Sequence, residues 1–193
     1  MAIRSTRRAR RSAFCGAIAA IALVIATGAQ PAAAESGVTG FWYAHIFVTQ
    51  TQGIVGEGFT GASSVSFRGA QATEFTVVDD QTIEVKVPIG ALTGKVHIEV
   101  PGGTLVSPTK MKIAPWPQQV DPDPAARGSS ITIRGYTFTG VKRVQIGGEL
   151  AEFVVDSYTQ ITATVPLNAR VGFGRLRVYG PGGNGAYTRF RVT

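Results

Sequence analysis

The sequence predicts an all-β protein, built as two tandem β-sandwiches that follow a cleaved signal peptide. Three observations lead to this prediction: an arginine-rich opening before an apolar run, an internal repeat of about 79 residues, and short alternating runs separated by turn residues. The chain has 193 residues, of which 44% are hydrophobic and 16% are charged. This composition is typical of a folded protein, and the length suits one or two small domains.

The first 34 residues have the order of a secretory signal peptide. Five arginines between Arg4 and Arg11 precede a largely apolar run from Ala13 to Ala29, and small residues end at Ala34. The run is too short and too interrupted for a membrane anchor, which needs about 20 apolar residues. We therefore predict that residues 1–34 are removed during export, by the general secretory or the twin-arginine route, and that the mature chain makes no stable membrane insertion.

The excess of positive charge lies mostly in this leader. The formal net charge is +7, but residues 35–193 hold 14 basic and 12 acidic residues, which leaves a net charge of +2. A charge of this size is ordinary for a protein surface and gives no basis for nucleic-acid binding. The single cysteine, Cys15, also lies in the leader, so the mature chain is predicted to fold without a disulfide.

Two segments of the mature chain share a pattern of motifs at an offset of 78 to 80 residues. The motifs are Gly-x-x-Phe-Thr-Gly at 56–61 and 135–140, Val-Pro at 87–88 and 165–166, and Pro-Gly-Gly at 101–103 and 181–183. Small slips at loops, with the register kept between them, are typical of duplicated domains. We therefore predict a first domain at 35–113 and a second domain at 114–193.

Each copy alternates apolar and polar residues over short runs, which indicates strands that bury one face. The predicted strands are 64–67, 75–78, 82–87, 95–100 and 110–113 in the first copy, and 130–135, 143–146, 153–155, 160–165, 175–179 and 189–192 in the second. An aromatic strand is predicted at 41–48. About seven short strands in roughly 80 residues are typical of an immunoglobulin-like sandwich.

The order of these motifs resembles the IPT/TIG (immunoglobulin-like, plexin, transcription factor) domain family. Residues 120–122 and 128–135 are also similar to that family's opening segment. The resemblance extends over residues 44–193, and the first copy departs from it at 41–48. It implies two tandem immunoglobulin-like domains, which in an exported chain act as a binding or spacer unit outside the cell, and it supplies no catalytic residues.

The residues themselves predict no catalytic site, metal site or cofactor. The mature chain has two histidines, His45 and His97, and no Gly-x-Ser-x-Gly motif around a nucleophilic serine. The acidic pairs at 79–80 and 121–123 lack the spaced carboxylates of a calcium loop. We predict that the protein is not an enzyme.

Aromatic residues supply the candidate ligand-binding site, at Phe41, Trp42 and Tyr43. Because consecutive strand residues point to opposite faces, one core cannot bury all three side chains. Exposed rings of Trp and Tyr can stack on a sugar or dock a protein, and the alternative is core filling or packing against the second domain. Trp116, in the Pro-rich segment 114–117, is predicted to be buried at the joint between the domains.

Arginine and lysine residues concentrate in the second copy, where they either contact an anionic wall polymer or form a solvated strand face. For the whole protein we predict a secreted binding module for an extracellular glycan or protein. The alternatives are a self-assembling component of the cell envelope and an accessory part of an extracellular polysaccharide-active system. Retention at the cell surface would then require a partner.

Overall fold

The computed structural model describes residues 37–193, so the predicted signal peptide at 1–34 lies outside the described residues. Every regular element within 37–193 is a β-strand, which confirms the predicted all-β fold class. No helix in this part of the chain is long and apolar enough to cross a membrane.

The strands fall into two consecutive groups along the chain. Residues 37–113 form β1 Gly37–Phe41, β2 His45–Ile46, β3 Thr51–Glu57, β4 Ser64–Arg68, β5 Ala70–Gln71, β6 Phe75–Asp79, β7 Thr82–Lys86, β8 Leu92–Val100, β9 Gly103–Val106 and β10 Lys112–Ile113. Residues 116–192 form β11 Trp116–Asp121, β12 Ser130–Tyr136, β13 Arg143–Ile146, β14 Glu149–Ala151, β15 Phe153–Val155, β16 Gln160–Thr164, β17 Gly172–Gly180 and β18 Gly183–Val192.

Each group forms two four-stranded antiparallel sheets, and the two groups have the same strand order. In the first group the sheets are β1-β3-β7-β6 and β5-β4-β8-β9, and in the second they are β11-β12-β16-β15 and β14-β13-β17-β18. In the first group β2 also pairs in parallel with β10, and in the second a single parallel bridge between Ala125 and Val192 takes the equivalent place. Two sheets with alternating buried residues are the arrangement of an immunoglobulin-like sandwich.

A separate apolar core lies between the sheets of each sandwich. The first core contains Phe59 and Ile83, which are fully buried, and the second contains the equivalent residues Phe138 and Ile161. Burial of apolar surface is the main force that holds such sheets together. Each sandwich therefore has a core of its own.

Glycine recurs at the start of the Gly-x-x-Phe motif because two neighbours leave no room for a side chain. A Cβ at Gly56 would lie 2.6 Å from Cζ of Phe59, and a Cβ at Gly135 would lie 2.9 Å from Cζ of Phe138. In both places the backbone of the adjoining edge strand, β1 or β11, also approaches closely. The motif therefore requires glycine because the Phe ring packs onto the backbone of the residue three positions before it.

The predicted aromatic strand at 41–48 is wrong. Strand β1 ends at Phe41, a bend follows, and β2 contains only His45 and Ile46. The strand is interrupted because the backbone N–H and carbonyl of Tyr43 both bond to the side chain of Gln52. A backbone whose polar groups are taken by a side chain cannot continue a strand ladder there.

The two sandwiches belong to one compact unit and contact each other at several points. The hydroxyl of Tyr158 accepts a hydrogen bond from the N–H of Gly90 over 2.9 Å. The loop at 181–183 packs against the end of the first sandwich, where a Cβ at Gly182 would overlap the carbonyl of Ile113. The equivalent loop at 101–103 has open space around Gly102.

Candidate functional site

The three aromatic residues proposed from the sequence have different environments. Phe41 is partly buried and packs against the first core. Trp42 and Tyr43 lie in the bend between β1 and β2 and are 49% and 56% exposed. Large aromatic residues are usually buried, so two adjacent exposed rings are candidates for ligand contact. We call Trp42 and Tyr43 the aromatic pair.

The backbone of the aromatic pair is held by the buried side chain of Gln52 in β3. Its Oε1 accepts hydrogen bonds from the N–H groups of Tyr43 and Gly53, each over 3.1 Å. Its Nε2 donates to the carbonyl of Tyr43 over 3.0 Å and contacts Sδ of Met111 at 3.3 Å. Gln52 is fully buried, and the hydrogen bonds of its amide tie the backbone of the bend to β3.

The indole of Trp42 lies against Gly53, the residue next to Gln52. A Cβ at Gly53 would overlap the Cδ2, Cε2 and Cε3 atoms of the indole. The N–H of Trp42 also donates to the carbonyl of Gly53 over 3.0 Å. The ring is therefore seated on a backbone surface while half of the residue stays exposed, which lowers the entropy lost when a ligand covers it.

Tyr43 also lines an open groove of about 320 Å³. The other lining residues are His45, Ile46, Gln50 and Thr51, so none of the five carries a carboxylate, ammonium or guanidinium group. The Oε1 of Gln50 accepts the N–H of Phe47 over 3.2 Å, which orients its amide. An aromatic ring beside amide and hydroxyl groups suits an uncharged, hydroxyl-rich ligand.

His45 links this groove to the second sandwich. Its Nδ1 lies 2.8 Å from the carbonyl oxygen of Gly182. Because a carbonyl oxygen only accepts, Nδ1 is the donor. A Cβ at Gly183 would lie 3.0 Å from Cε1 of His45, so the 181–183 loop packs closely on the imidazole. The position of His45 thus depends on the contact between the sandwiches.

Trp116 lies at the start of β11 and contacts aromatic residues from both sandwiches. Its ring centroid is 5.8 Å from that of Phe47 and 6.1 Å from that of Tyr136, with tilted planes in both cases. Trp116 is partly buried and packs against the first core. Tilted aromatic contacts of this kind add to the energy of simple burial.

The described residues contain no cluster of three or more His, Cys, Asp or Glu side chains that could hold a metal ion. The carboxyl of Asp80 has a pKa below its ordinary value, and local hydrogen bonds explain this shift. The hydroxyl of Thr60 lies 2.6 Å from Oδ1, and with the N–H groups of Thr60 and Gly58 it lowers the pKa of Asp80. These bonds fix the loop between β3 and β4.

Two residues of the candidate site, Gln50 and Gln52, were missed by the sequence analysis. Gln52 did have a usable signal, since it is a polar residue in a segment that β3 buries without interruption from Gln52 to Ile54. A buried amide must be hydrogen-bonded, so Gln52 had to have partners in a neighbouring segment.

The fold defines the chain as an immunoglobulin-like β-sandwich protein. Residues 118–192 match the family model described as the IPT/TIG domain. The second sandwich is therefore an IPT/TIG domain, which confirms the family predicted from the motifs. No curated protein has a sequence that matches the chain.

Solved structures with a similar fold share little sequence with this chain. SGBP-B from a xyloglucan utilization locus in Bacteroides uniformis is 18% identical, with 81% of this chain and 49% of that chain covered and a TM-score of 0.38. The surface glycan-binding protein PbSGBP-B from Prevotella bryantii is 19% identical, with 76% and 38% covered and a TM-score of 0.45. The gamma-CGTase from alkalophilic Bacillus clarkii is 16% identical, with 74% and 22% covered and a TM-score of 0.39.

The chain spans less than half the length of these three structures. Two of these structures carry names that refer to a xyloglucan utilization locus or to glycan binding, and the third is named as a CGTase. A fold alone does not determine function, which depends on the residues of the site.

Proposed function

We propose that the protein is a secreted, non-enzymatic binding module that holds an uncharged extracellular glycan on the aromatic pair. One observation carries this proposal: Trp42 and Tyr43 are both about half exposed, while Gln52 holds the backbone of Tyr43 and the indole of Trp42 lies against Gly53. An exposed indole seated on the backbone, beside an exposed tyrosine ring, is suited to stacking on the apolar face of a sugar.

The adjoining groove supports a neutral ligand over a charged one. Gln50 and Thr51 offer amide and hydroxyl groups beside the Tyr43 ring, and such groups both donate and accept hydrogen bonds. A sugar presents hydroxyl groups of the same kind around an apolar ring face. Two structures of similar fold are named for glycans, but TM-scores of 0.38 and 0.45 concern strand arrangement only, and the aromatic pair carries the proposal.

The domain assignment is part of the proposal. We infer that residues 1–34 are a cleaved leader, that 35–113 form a first IPT/TIG-like domain and that 114–193 form the second. The shared strand order and the repeated Gly56 and Gly135 packing support a duplication. Cleavage would leave the aromatic pair a few residues from the new N-terminus.

Affinity electrophoresis tests this function. The purified protein is run through gels that contain a neutral soluble polysaccharide, namely xyloglucan, mixed-linkage glucan or mannan. We expect at least one of them to retard the protein. In the double variant Trp42→Ala, Tyr43→Ala the affinity should fall by about tenfold or more, because two stacking rings are lost.

The control is Leu167→Ala, which removes an apolar side chain that is 77% exposed, on the second sandwich and outside both the aromatic pair and the strands β13, β17 and β18. We expect this variant to bind neutral glycan like the wild type. Retardation by none of the glycans, or equal retardation of the double variant and the wild type, would refute the proposed role. Retention on a protein ligand would favour a protein-binding module, and self-association in light scattering would favour a self-assembling envelope component.

A further inference from the structure

The second sandwich has a solvent-facing surface rich in arginine, on strands β13, β17 and β18. In β17, Leu176 and Val178 are buried, whereas Phe173 and Arg175 are exposed. Strand β18 alternates in the same way. We call the outward residues of these strands the basic face, and its members are Arg143, Phe173, Arg175, Arg177, Tyr179, Tyr187, Arg189 and Arg191.

The strand register places arginines beside one another and beside aromatic rings. Arg175 lies directly opposite Arg189 in the β17–β18 ladder. Like charges at directly opposed positions destabilise a sheet. The opposed arginines therefore carry an electrostatic cost that a negatively charged ligand would relieve.

Aromatic rings hold four of these guanidinium groups in position. The Cζ atoms lie 4.0 Å from the ring centre for Arg143 over Tyr179, 4.5 Å for Arg175 over Tyr187, and 5.2 and 5.4 Å for Arg189 and Arg191 over Phe173. Stacking occupies the flat face of a guanidinium and leaves the N–H donors on its edge available. The side chains are thus ordered without being neutralised.

No carboxylate neutralises the basic face within the described residues. Between positions 37 and 193 the one ion pair with N and O within 4.0 Å joins Lys86 and Glu74, in the first sandwich. Asp123, near the end of β18, accepts the backbone N–H of Arg191 instead of pairing with its guanidinium. The five arginines therefore form a local field of one sign.

A groove of about 730 Å³ runs along this face. Its polar lining includes Gln145, Asn168, Arg170, Arg175, Arg177 and Glu149. The carboxylate of Glu149 accepts a hydrogen bond from the side chain of Asn168 over 3.0 Å, and the three arginines give the lining a net positive charge. Amide groups beside arginines offer partners for hydroxyl groups as well as for anions.

We propose that the basic face is a second glycan-binding surface, specific for a polysaccharide whose sugars carry carboxylate groups. The edge of a guanidinium matches a carboxylate with two parallel hydrogen bonds, and Gln145 and Asn168 bond the sugar hydroxyls. This inference rests on the proposed extracellular role and adds a distinct site, on the other sandwich, with the opposite charge preference.

The surroundings favour an acidic glycan over a nucleic acid. Single-stranded nucleic acids bind by stacking bases on open aromatic faces. Here Tyr179, Tyr187 and Phe173 are each faced by a guanidinium.

Titration of the purified protein with polygalacturonate tests the inference. Fully methyl-esterified polygalacturonate has the same backbone without the charge, and dextran sulfate and a single-stranded oligonucleotide present other anions. We expect binding to polygalacturonate that weakens at least tenfold between about 50 and about 500 mM salt, because the contacts are ionic. The methyl ester should bind at least tenfold more weakly.

The double variant Arg175→Gln, Arg189→Gln should lose about tenfold or more of the affinity for polygalacturonate. The control Lys95→Gln, Arg134→Gln removes two positive charges from exposed strand positions elsewhere. This control should keep the wild-type affinity for polygalacturonate. Equal affinity for the ester, dextran sulfate or the oligonucleotide would overturn the carboxylate assignment, and unchanged binding by Arg175→Gln, Arg189→Gln would overturn the site. The double variant at Trp42 and Tyr43 should still bind polygalacturonate, so the two proposals fail separately.

Discussion

The hydroxyl of Tyr158 in the second sandwich accepts the N–H of Gly90 in the first over 2.9 Å. Asp80 is the equivalent of Tyr158 in the first sandwich, since its carbonyl accepts the N–H of Phe59 just as the carbonyl of Tyr158 accepts that of Phe138. The side chain of Asp80 bonds to its own loop, whereas that of Tyr158 reaches the neighbouring sandwich. One position of the repeated pattern therefore stabilises a loop in one half and the contact between the sandwiches in the other.

Tyr158→Phe should weaken the contact between the sandwiches. Without the hydroxyl, the N–H of Gly90 loses its partner, and we expect the free energy of unfolding to fall by about 1 kcal/mol. The Gly90 amide should also exchange faster with solvent, as measured by NMR. The control is Tyr179→Phe, which removes a hydroxyl bond to Gln145 within the second sandwich. Unchanged exchange at Gly90 in Tyr158→Phe would show that the contact does not form.

Asp80→Asn should destabilise the protein in a pH-dependent way. The hydroxyl of Thr60, with the N–H groups of Thr60 and Gly58, lowers the pKa of Asp80 below its ordinary value of 3.8. A carboxyl with a lowered folded-state pKa stabilises the fold above 3.8, and this contribution disappears as the pH falls through the folded-state pKa. At neutral pH the wild type should therefore melt at a higher temperature than Asp80→Asn. The difference in melting temperature should shrink as the pH falls through the folded-state pKa of Asp80. A difference independent of pH would contradict this expectation.

Gly182→Ala and Gly102→Ala compare the same loop position in the two sandwiches. A Cβ at Gly182 would overlap the carbonyl of Ile113, whereas nothing lies within 4 Å of a Cβ at Gly102. We expect Gly182→Ala to lower the free energy of unfolding by roughly 1 to 3 kcal/mol in urea titrations, and Gly102→Ala to have little effect. Equal stability of the two variants would mean that the 181–183 loop does not pack as described.

Gly53→Ala should displace the indole of Trp42. The added methyl group overlaps the ring, so the indole must leave its position on the Gly53 backbone. We expect a shift in tryptophan fluorescence and a loss of neutral-glycan affinity. Gly40→Ala, in the neighbouring strand β1, is the control because it meets nothing within 4 Å. Full glycan affinity in Gly53→Ala would indicate that the seated position of the ring is not needed.

Short-range alternation was enough to predict many of the strands. The predicted strands at 143–146 and 153–155 have the bounds found in the structure. They could be predicted because buried and exposed residues alternate within one short segment, and because the repeat supplied a second example of the pattern. The arginine-rich strands were also visible, but their pairing with Phe173 and Tyr187 depends on register across strands.

The bend at Trp42 and Tyr43 could not be predicted in this way. It depends on the side chain of Gln52, nine residues further along the chain, whose amide bonds to the backbone of Tyr43. A pattern of apolar and polar residues carries no information on such a bond. The same holds for Tyr158, where the repeat predicts the turn but not the contact with Gly90, 68 residues away.

An NMR titration of the isotopically labelled protein with a neutral oligosaccharide from the retarding polysaccharide tests the central claim most directly. We expect saturable shifts of the indole N–H of Trp42 and of the amides of Tyr43, Gln50 and Thr51, with little change on strands β17 and β18. Shifts confined to the arginine-bearing strands, or no saturable shifts at the aromatic pair, would contradict it.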